Sequence, residues 1–343
     1  MSTLTEIAQS PDVVEGLLTR AMGPVEAVAQ AIRERDIRLV LVAARGTSDH
    51  AAIYAQYVLG GRNRLPVALA TPSLSSLYGV TPRLESALVI GISQSGKSPD
   101  IVAVLTDARR QGALTLAVTN DPASELAAAS EHVVEMGAGP ELGVAATKTY
   151  IASVAVIAML SAALTGDPGS RAELGALPVA LRAVLEQAPL VAALAADRAR
   201  DERCAVLARG YHYATAREWA LKVKELAYVL ADPYSAADFQ HGPIALVEPD
   251  YPVLAAATAG PAMPEMRSLL ERLRSAGARL LVVSDDAAAL ALGDGVPLPP
   301  DVPEWLAPMV AVVPGQLYAV HLAMARGLDP ERPRNLSKVT LTR

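Results

Sequence analysis

The chain has 343 residues, of which 52% are hydrophobic, 19% charged and 4% aromatic. That length suits two domains, each able to bury its own core. Its 30 basic residues are outnumbered by 36 acidic ones, for a net charge of −6, which argues against nucleic acid or an anionic membrane surface as the main partner.

One cysteine, Cys204, excludes a disulfide framework within the chain and a CxxC metal site. Met1 to Ser10 is polar and includes Glu6, without the basic start and apolar run of a secretory signal. The longest apolar stretch, Ile151 to Leu164, is shorter than the ~20 residues of a membrane span, and Ser153 and Ser161 interrupt it. The expectation is a cytoplasmic protein with no membrane contact.

A helical segment over residues 1–35 opens the chain. Arg38–Ala44 (RLVLVAA) then reads as a strand and Asp49–Leu59 as a helix. Ser86–Ile92 is a strand followed by a helix at Pro99–Gln111, and Ala113–Thr119 a strand followed by a short helix at Ser124–Ser130. Continuous apolar strands alternating with helices predict a parallel sheet covered on both faces. A turn-rich break at Thr165–Ser170 (TGDPGS) and helical sequence from Ala172 to Asp197 lead into a second run. There Arg203–Ala208 precedes a helix from about Ala214 to Leu230. Pro252–Ala257 precedes a helix at Pro264–Ser275, and the strand Ala278–Ser284 follows.

The two runs share a register. Arg45-Gly46 matches Arg209-Gly210 and Gly96 matches Gly260 at an offset of 164, and Gly112-Ala113 matches Gly277-Ala278 at 165. Three ordered matches at nearly one offset indicate duplication of an α/β domain. The expected architecture is two tandem doubly wound domains, residues 36–170 and 171–330, with a tail over 331–343. Ligands of such sheets sit outside the carboxyl ends of the strands.

The loop after Ile92 reads Ser93-Gln94-Ser95-Gly96-Lys97-Ser98-Pro99, between a buried strand and a helix. Its three hydroxyls and the backbone N–H groups of a helix start suit one anion. The loop after Ala44 adds Thr47 and Ser48 at another helix start. Plain N-capping is the alternative use of the same residues. The spacing fits neither GxxxxGK[ST] nor GxGxxG, so a small phosphorylated metabolite suits it better than a nucleoside triphosphate or dinucleotide.

Downstream, Glu218, Lys222 and Glu225 stand at i, i+4 and i+7, on one face of a helix flanked by Trp219, Leu221, Leu226 and Tyr228. A solvated ion pair on that face would contribute only ~0.3–0.5 kcal/mol. A solvated pair also implies a polar outer face, and this helix has little of one. A carboxylate walled by apolar groups is suited to proton transfer, because desolvation favours its neutral form. The basic residues are uneven: 25 arginines and five lysines, Lys97, Lys148, Lys222, Lys224 and Lys338. Only lysine forms Schiff bases. His241, in the turn Asp238-Phe239-Gln240-His241-Gly242-Pro243, and Lys338 read locally as a turn residue and a solvated terminal charge.

Taken in order, RGTSDHA, SQSGKSPD, GPELGVAATKTY, EWALKVKELAY, DFQHGPIAL and PRNLSK resemble the sugar isomerase (SIS) family over about residues 36–343. More narrowly they are similar to the isomerase half of glutamine–fructose-6-phosphate aminotransferases. The resemblance implies two flavodoxin-like SIS domains. It implies that Thr47, Ser93, Gln94, Ser95 and Ser98 hold a sugar phosphate and that Ser48 and Val144 contact the sugar. Glu225 would shuttle a proton between C1 and C2 with Lys222 beside it. His241 would open the ring and reach a neighbouring subunit's site, and Lys338 would form an imine with the open-chain ketose. No cofactor or metal is implied, and a homodimer is. All five lysines fall within the matching segments.

Two residues depart from the family pattern: Lys97 replaces an acidic residue, and Ala146 a serine. The family's glutaminase domain, with its N-terminal cysteine nucleophile, has no counterpart in a chain beginning Met1-Ser2, so glutamine hydrolysis by that route is not expected. The expected activity is a stand-alone interconversion of glucosamine 6-phosphate with fructose 6-phosphate and ammonia. The alternatives are a fructosamine-6-phosphate deglycase and a non-catalytic sugar-phosphate sensor. The sensor has no use for the acid–base set, and residues 1–35 hold no basic helix-turn-helix.

Overall fold

The computed structural model describes residues 2–338. Three helices come first: α1 (Thr3–Ala8), α2 (Ser10–Arg20) and α3 (Met22–Glu34). The first alternating run is β1 (Leu39–Ala43), α4 (Thr47–Asn63), β2 (Val67–Leu69), α5 (Ser73–Ser76), β3 (Ala87–Ser93) and α6 (Pro99–Arg110). It continues through β4 (Leu114–Thr119), α7 (Glu125–Ala128), β5 (His132–Glu135) and α8 (Lys148–Thr165). Helices α9 (Pro168–Leu185) and α10 (Ala188–Asp197) lead to β6 (Arg203–Ala208), α11 (Tyr213–Ala227), β7 (Leu230–Ser235) and α12 (Ala236–Gln240). Then come β8 (Pro252–Ala257), α13 (Met263–Ser275), β9 (Arg279–Ser284), α14 (Ala287–Leu290), β10 (Asp294–Pro297) and α15 (Ala307–Ala325).

These elements form two compact units that interleave along the chain. One holds residues 12–141, 148–175 and 337–338, and contains the first sheet. The other holds residues 2–11, 142–147 and 176–336, and contains the second.

The first sheet is parallel, in the order β2-β1-β3-β4-β5. Register runs from Leu39↔Ala87 to Ala43↔Gly91 and from Leu88↔Leu114 to Ser93↔Thr119. The loops after β1, β3 and β4 therefore open at one edge. All seven residues of β3 are buried, because helices cover both faces of a central parallel strand. Ile101, Val104 and Leu105 of α6 and Leu126 of α7 share one core cluster with Val89 of β3, each such side chain contributing ~1.5–3 kcal/mol.

The second sheet repeats the plan, parallel in the order β10-β9-β8-β6-β7. Leu207, Phe239, Val253, Leu270 and Val282 lie in its core. The α/β fold of two parallel, helix-covered sheets is thus the one expected from the alternation.

Some boundaries differ from expectation. The helix expected to reach Leu230 stops at Ala227, where Tyr228 turns left-handed at φ 57°, and Leu230 opens edge strand β7. Helix α4 is longer than Asp49–Leu59, starting at Thr47 and ending at Asn63. The apolar stretch expected to be too short for a membrane span belongs to α8, whose 18 residues, like the 19 of α15, are long and apolar enough to cross one. Those windows are 83% and 89% buried, so these helices supply core. Lys148, at the start of α8, donates its ammonium to the Pro140 carbonyl at 2.8 Å.

Candidate active site

In the first-sheet unit, Thr47 and Ser48 open α4 directly after the β1 loop, and Ser93 through Ser98 join β3 to α6. The sequence left capping and ligand binding as alternatives for these hydroxyls. Gly46 (φ 52°) occupies the N-cap of α4, and Ser98 occupies that of α6 without a side-chain cap hydrogen bond. The Ser93 hydroxyl accepts from the Gly96 N–H at 3.1 Å, and the Ser95 hydroxyl from the Lys97 N–H at 3.3 Å. A hydroxyl that accepts still has its own hydrogen to donate, so both fold the loop while keeping a donor for an anion. Gly96, at φ 63°, is required: a Cβ would stand 2.1 Å from the Ser124 hydroxyl. Gln94 fixes the loop through its carbonyl, which accepts from the Asn120 N–H at 3.1 Å. Lys97 is exposed.

An ion pair fastens the two loops together. Arg45, beside Thr47, donates to the fully buried carboxylate of Asp100, two residues beyond Ser98, at 2.8 Å. In the second unit Arg209 and Glu265 form the matching pair at 3.2 Å. The hydroxyls, by contrast, are not repeated. At an offset of 164, Ser93, Ser95 and Ser98 correspond to Ala257, Ala259 and Ala262. Duplication kept the clamp and left the three serines in the first copy alone.

Lys338 belongs to the first-sheet unit as well. Its ammonium lies 2.9 Å from Glu141, whose side chain is fully buried. Glu141 also accepts from the Thr149 N–H at 3.1 Å and the Thr149 hydroxyl at 2.7 Å, at the start of α8. A terminal lysine that reads as solvated is therefore held on a buried, pre-satisfied carboxylate.

The second unit carries the other expected residues. On α11, Lys222 is 1% exposed, with Glu225 at 2.6 Å and Glu218 at 3.5 Å. The buried carboxylate is Glu218; Glu225 keeps 22% of its side chain exposed, so its carboxylate is held by Lys222 yet open to a ligand. His241 is exposed in the turn after α12, its N–H donating to the Asp238 carbonyl at 3.1 Å. Val144 and Ala146 are half-buried in segment 142–147.

Sequence reasoning passed over His212, Asp100 and Glu141 as site elements. His212, capping α11, shares a 2.7 Å hydrogen bond with Thr258, and burial pushes its imidazole down to about 4. Asp100 had a usable signal, an acid recurring near one offset from its arginine in both copies. Glu141 had none, since its partners Thr149 and Lys338 lie eight and 197 positions away.

The chain is thus a tandem α/β protein, with a hydroxyl-bearing loop at parallel strand ends in one unit and a buried acid–lysine helix in the other. The SIS domain pattern matches residues 35–163 and 199–326, and the chain belongs to the SIS domain family. Glutamine–fructose-6-phosphate aminotransferase [isomerizing] from Methanothermobacter thermautotrophicus is 35% identical over 98% of this chain. Its counterpart from Thermus thermophilus is 36% identical over 98%. The chain spans only 56% and 58% of those two proteins. A candidate phosphosugar isomerase from Silicibacter pomeroyi DSS-3 is 37% identical, with a TM-score of 0.85, 96% of this chain covered and 99% of the other. The C-terminal domain of glucosamine-fructose-6-phosphate aminotransferase from Francisella tularensis shares the fold at a TM-score of 0.88 and 24% identity, covering 96% of this chain and 98% of that one.

Proposed function

We propose that this chain interconverts glucosamine 6-phosphate with fructose 6-phosphate and free ammonia. The observation that carries the reading is the α11 triad, in which an almost fully buried Lys222 holds a ligand-accessible Glu225 at 2.6 Å. A binding module has no need of a carboxylate placed in this way, and proton transfer does. Thr47, Ser93, Gln94, Ser95 and Ser98 take the phosphate; Ser48 and Val144 contact the sugar. His241 assists ring opening. Glu225 removes the C2 proton of the open-chain aldose and returns it to C1, which leaves an imine at C2. Lys338 replaces ammonia on that carbon as its own imine, and water then releases the ketose. The names of the relatives support an amino-sugar phosphate over other phosphosugars.

The test is ammonia release from glucosamine 6-phosphate by the purified protein, with fructose 6-phosphate as the second product. Glu225→Gln should abolish it and leave phosphate binding in place. Turnover of fructosamine 6-phosphates in preference to glucosamine 6-phosphate would move the reading to a deglycase. Binding without turnover, unaffected by Lys338→Ala, would move it to a sensor.

A further inference from the structure

Helix α1 has only six residues, yet Thr3 and Glu6 on one of its faces are both fully buried. Spacing of i and i+3 puts their side chains side by side. Neither meets apolar core alone. The Glu6 carboxylate accepts from the backbone N–H of Leu142, and from that of Gly143 at 3.3 and 3.2 Å to its two oxygens. The Thr3 N–H and hydroxyl donate to the two oxygens of Glu331 at 2.8 and 3.0 Å.

Both partners lead to residues of the reading above. Leu142 and Gly143 begin the segment that presents Val144 and Ala146. Glu331 stands seven residues before Lys338 in the chain. The same stretch is fixed a second time: the Arg334 N–H donates to the Tyr228 hydroxyl at 2.7 Å, and its guanidinium lies 3.9 Å from that ring's centre. Gly143 leaves no slack, since a Cβ there would stand 2.8 Å from a Glu6 oxygen and 2.9 Å from the Thr3 hydroxyl. A buried carboxylate satisfied by two backbone donors is a stiff anchor, because releasing either donor removes a charge-assisted hydrogen bond that water does not replace.

We propose that α1 is a positioning element: Glu6 fixes the backbone of segment 142–147 so that Val144 is presented to the sugar, and Thr3 fixes the approach of the tail that carries Lys338. Glu6 and Thr3 act through other residues and touch no reacting atom. The inference rests on the roles given above to Val144 and Lys338.

Amide hydrogen exchange and steady-state kinetics on the full chain test it together. Glu6→Ala should speed exchange at Leu142 and Gly143 at least tenfold. It should also raise KM for glucosamine 6-phosphate at least fivefold, with kcat within twofold. Glu6→Gln, which keeps an acceptor oxygen, should restore most of both. If Glu6→Ala does not fold, Gly143→Ala should produce the same pair of effects by displacing the carboxylate. Thr3→Val should lower kcat at least threefold, with KM within twofold and exchange at 142–143 unchanged. Unchanged exchange at Leu142 and Gly143 overturns the proposal, as does a fall in kcat and KM alike that merely follows lost stability. If the wild-type protein turns over no amino-sugar phosphate, the proposed reaction fails by itself. The fructose 6-phosphate Kd then replaces KM: a fivefold weakening in Glu6→Ala supports the anchor, and an unchanged Kd overturns it.

Discussion

Arg45 and Asp100 join the two strand-end loops of the first unit at 2.8 Å, with Asp100 fully buried and half of the Arg45 side chain exposed. Removing the arginine takes the charge partner from a buried carboxylate, which is costlier than losing a surface pair even though Asp100 still accepts from the Ile101 N–H at 2.9 Å. Arg45→Met should therefore destabilise the protein by about 1–3 kcal/mol in urea unfolding and weaken phosphate binding by loosening both loops. The copy of this clamp, Arg209 with Glu265, has side chains 35% and 41% exposed. Arg209→Met should cost under about 1 kcal/mol. Equal costs for the two variants would show that burial of the acid does not govern the clamp.

Ser98 separates capping from ligand binding. It stands at the N-cap of α6, where its hydroxyl makes no cap hydrogen bond. Ser98→Ala should leave stability within about 0.5 kcal/mol, below the ~1 kcal/mol typical of a lost cap. Its effect should fall on inorganic phosphate and fructose 6-phosphate, each bound several-fold more weakly by calorimetry. The stoichiometry should be one phosphate per chain, because Ala257, Ala259 and Ala262 replace the serines in the second copy.

The strands that the sequence reveals are those in the middle of each sheet. β3 and β8 are buried along their whole length, so their composition is set by burial alone. The strands it conceals lie at the edges: β2 has three residues, β7 is Leu-Ala-Asp-Pro-Tyr-Ser and β10 is Asp-Gly-Val-Pro. An edge strand pairs on one side only, so Pro233 need not supply a ladder hydrogen bond and Asp232 can face water. The same contrast governs the candidate site. The hydroxyl loops and the α11 stripe are local in sequence and were legible. Glu141 and Glu6, which hold Lys338 and the backbone of segment 142–147, meet partners 197 and 136 residues away that no local pattern encodes, and Asp100, 55 residues from Arg45, is marked only by the recurrence of its pair in the second copy.

Lys222 and Glu225 should part company under mutation. Lys222→Met leaves Glu218, fully buried, without its lysine, at a cost of about 3–5 kcal/mol. Glu225→Gln keeps the shape and an acceptor oxygen on a partly exposed side chain, so stability should change by less than about 1 kcal/mol while turnover is lost. Chemical denaturation beside the ammonia assay checks both. A stable, active Glu225→Gln protein would remove this carboxylate from the chemistry.

Lys338→Met makes a complementary test. Glu141 retains the Thr149 N–H and hydroxyl as donors, so the loss of one partly exposed ammonium should cost no more than about 1–2 kcal/mol. Turnover should fall by orders of magnitude, and borohydride should no longer trap fructose 6-phosphate on the chain. Covalent trapping that survives the substitution would assign the imine to another lysine.

His212 gives the pH dependence a sign. Burial pushes its folded pKa down to about 4, against ~6.5 in the unfolded chain. Between those values the unfolded state binds the proton and the folded state does not. Stability from this group is therefore complete above pH ~6.5 and lost progressively as the pH falls towards 4. The loss should reach roughly 2–3 kcal/mol by pH 4.5. His212→Asn cannot titrate, so the difference in unfolding free energy between wild type and variant should shrink by that amount from pH 7 to pH 4.5. A difference that stays flat across this range would mean that His212 is protonated as readily in the folded chain as in the unfolded one, and that its 2.7 Å contact with Thr258 does not hold it in the neutral form.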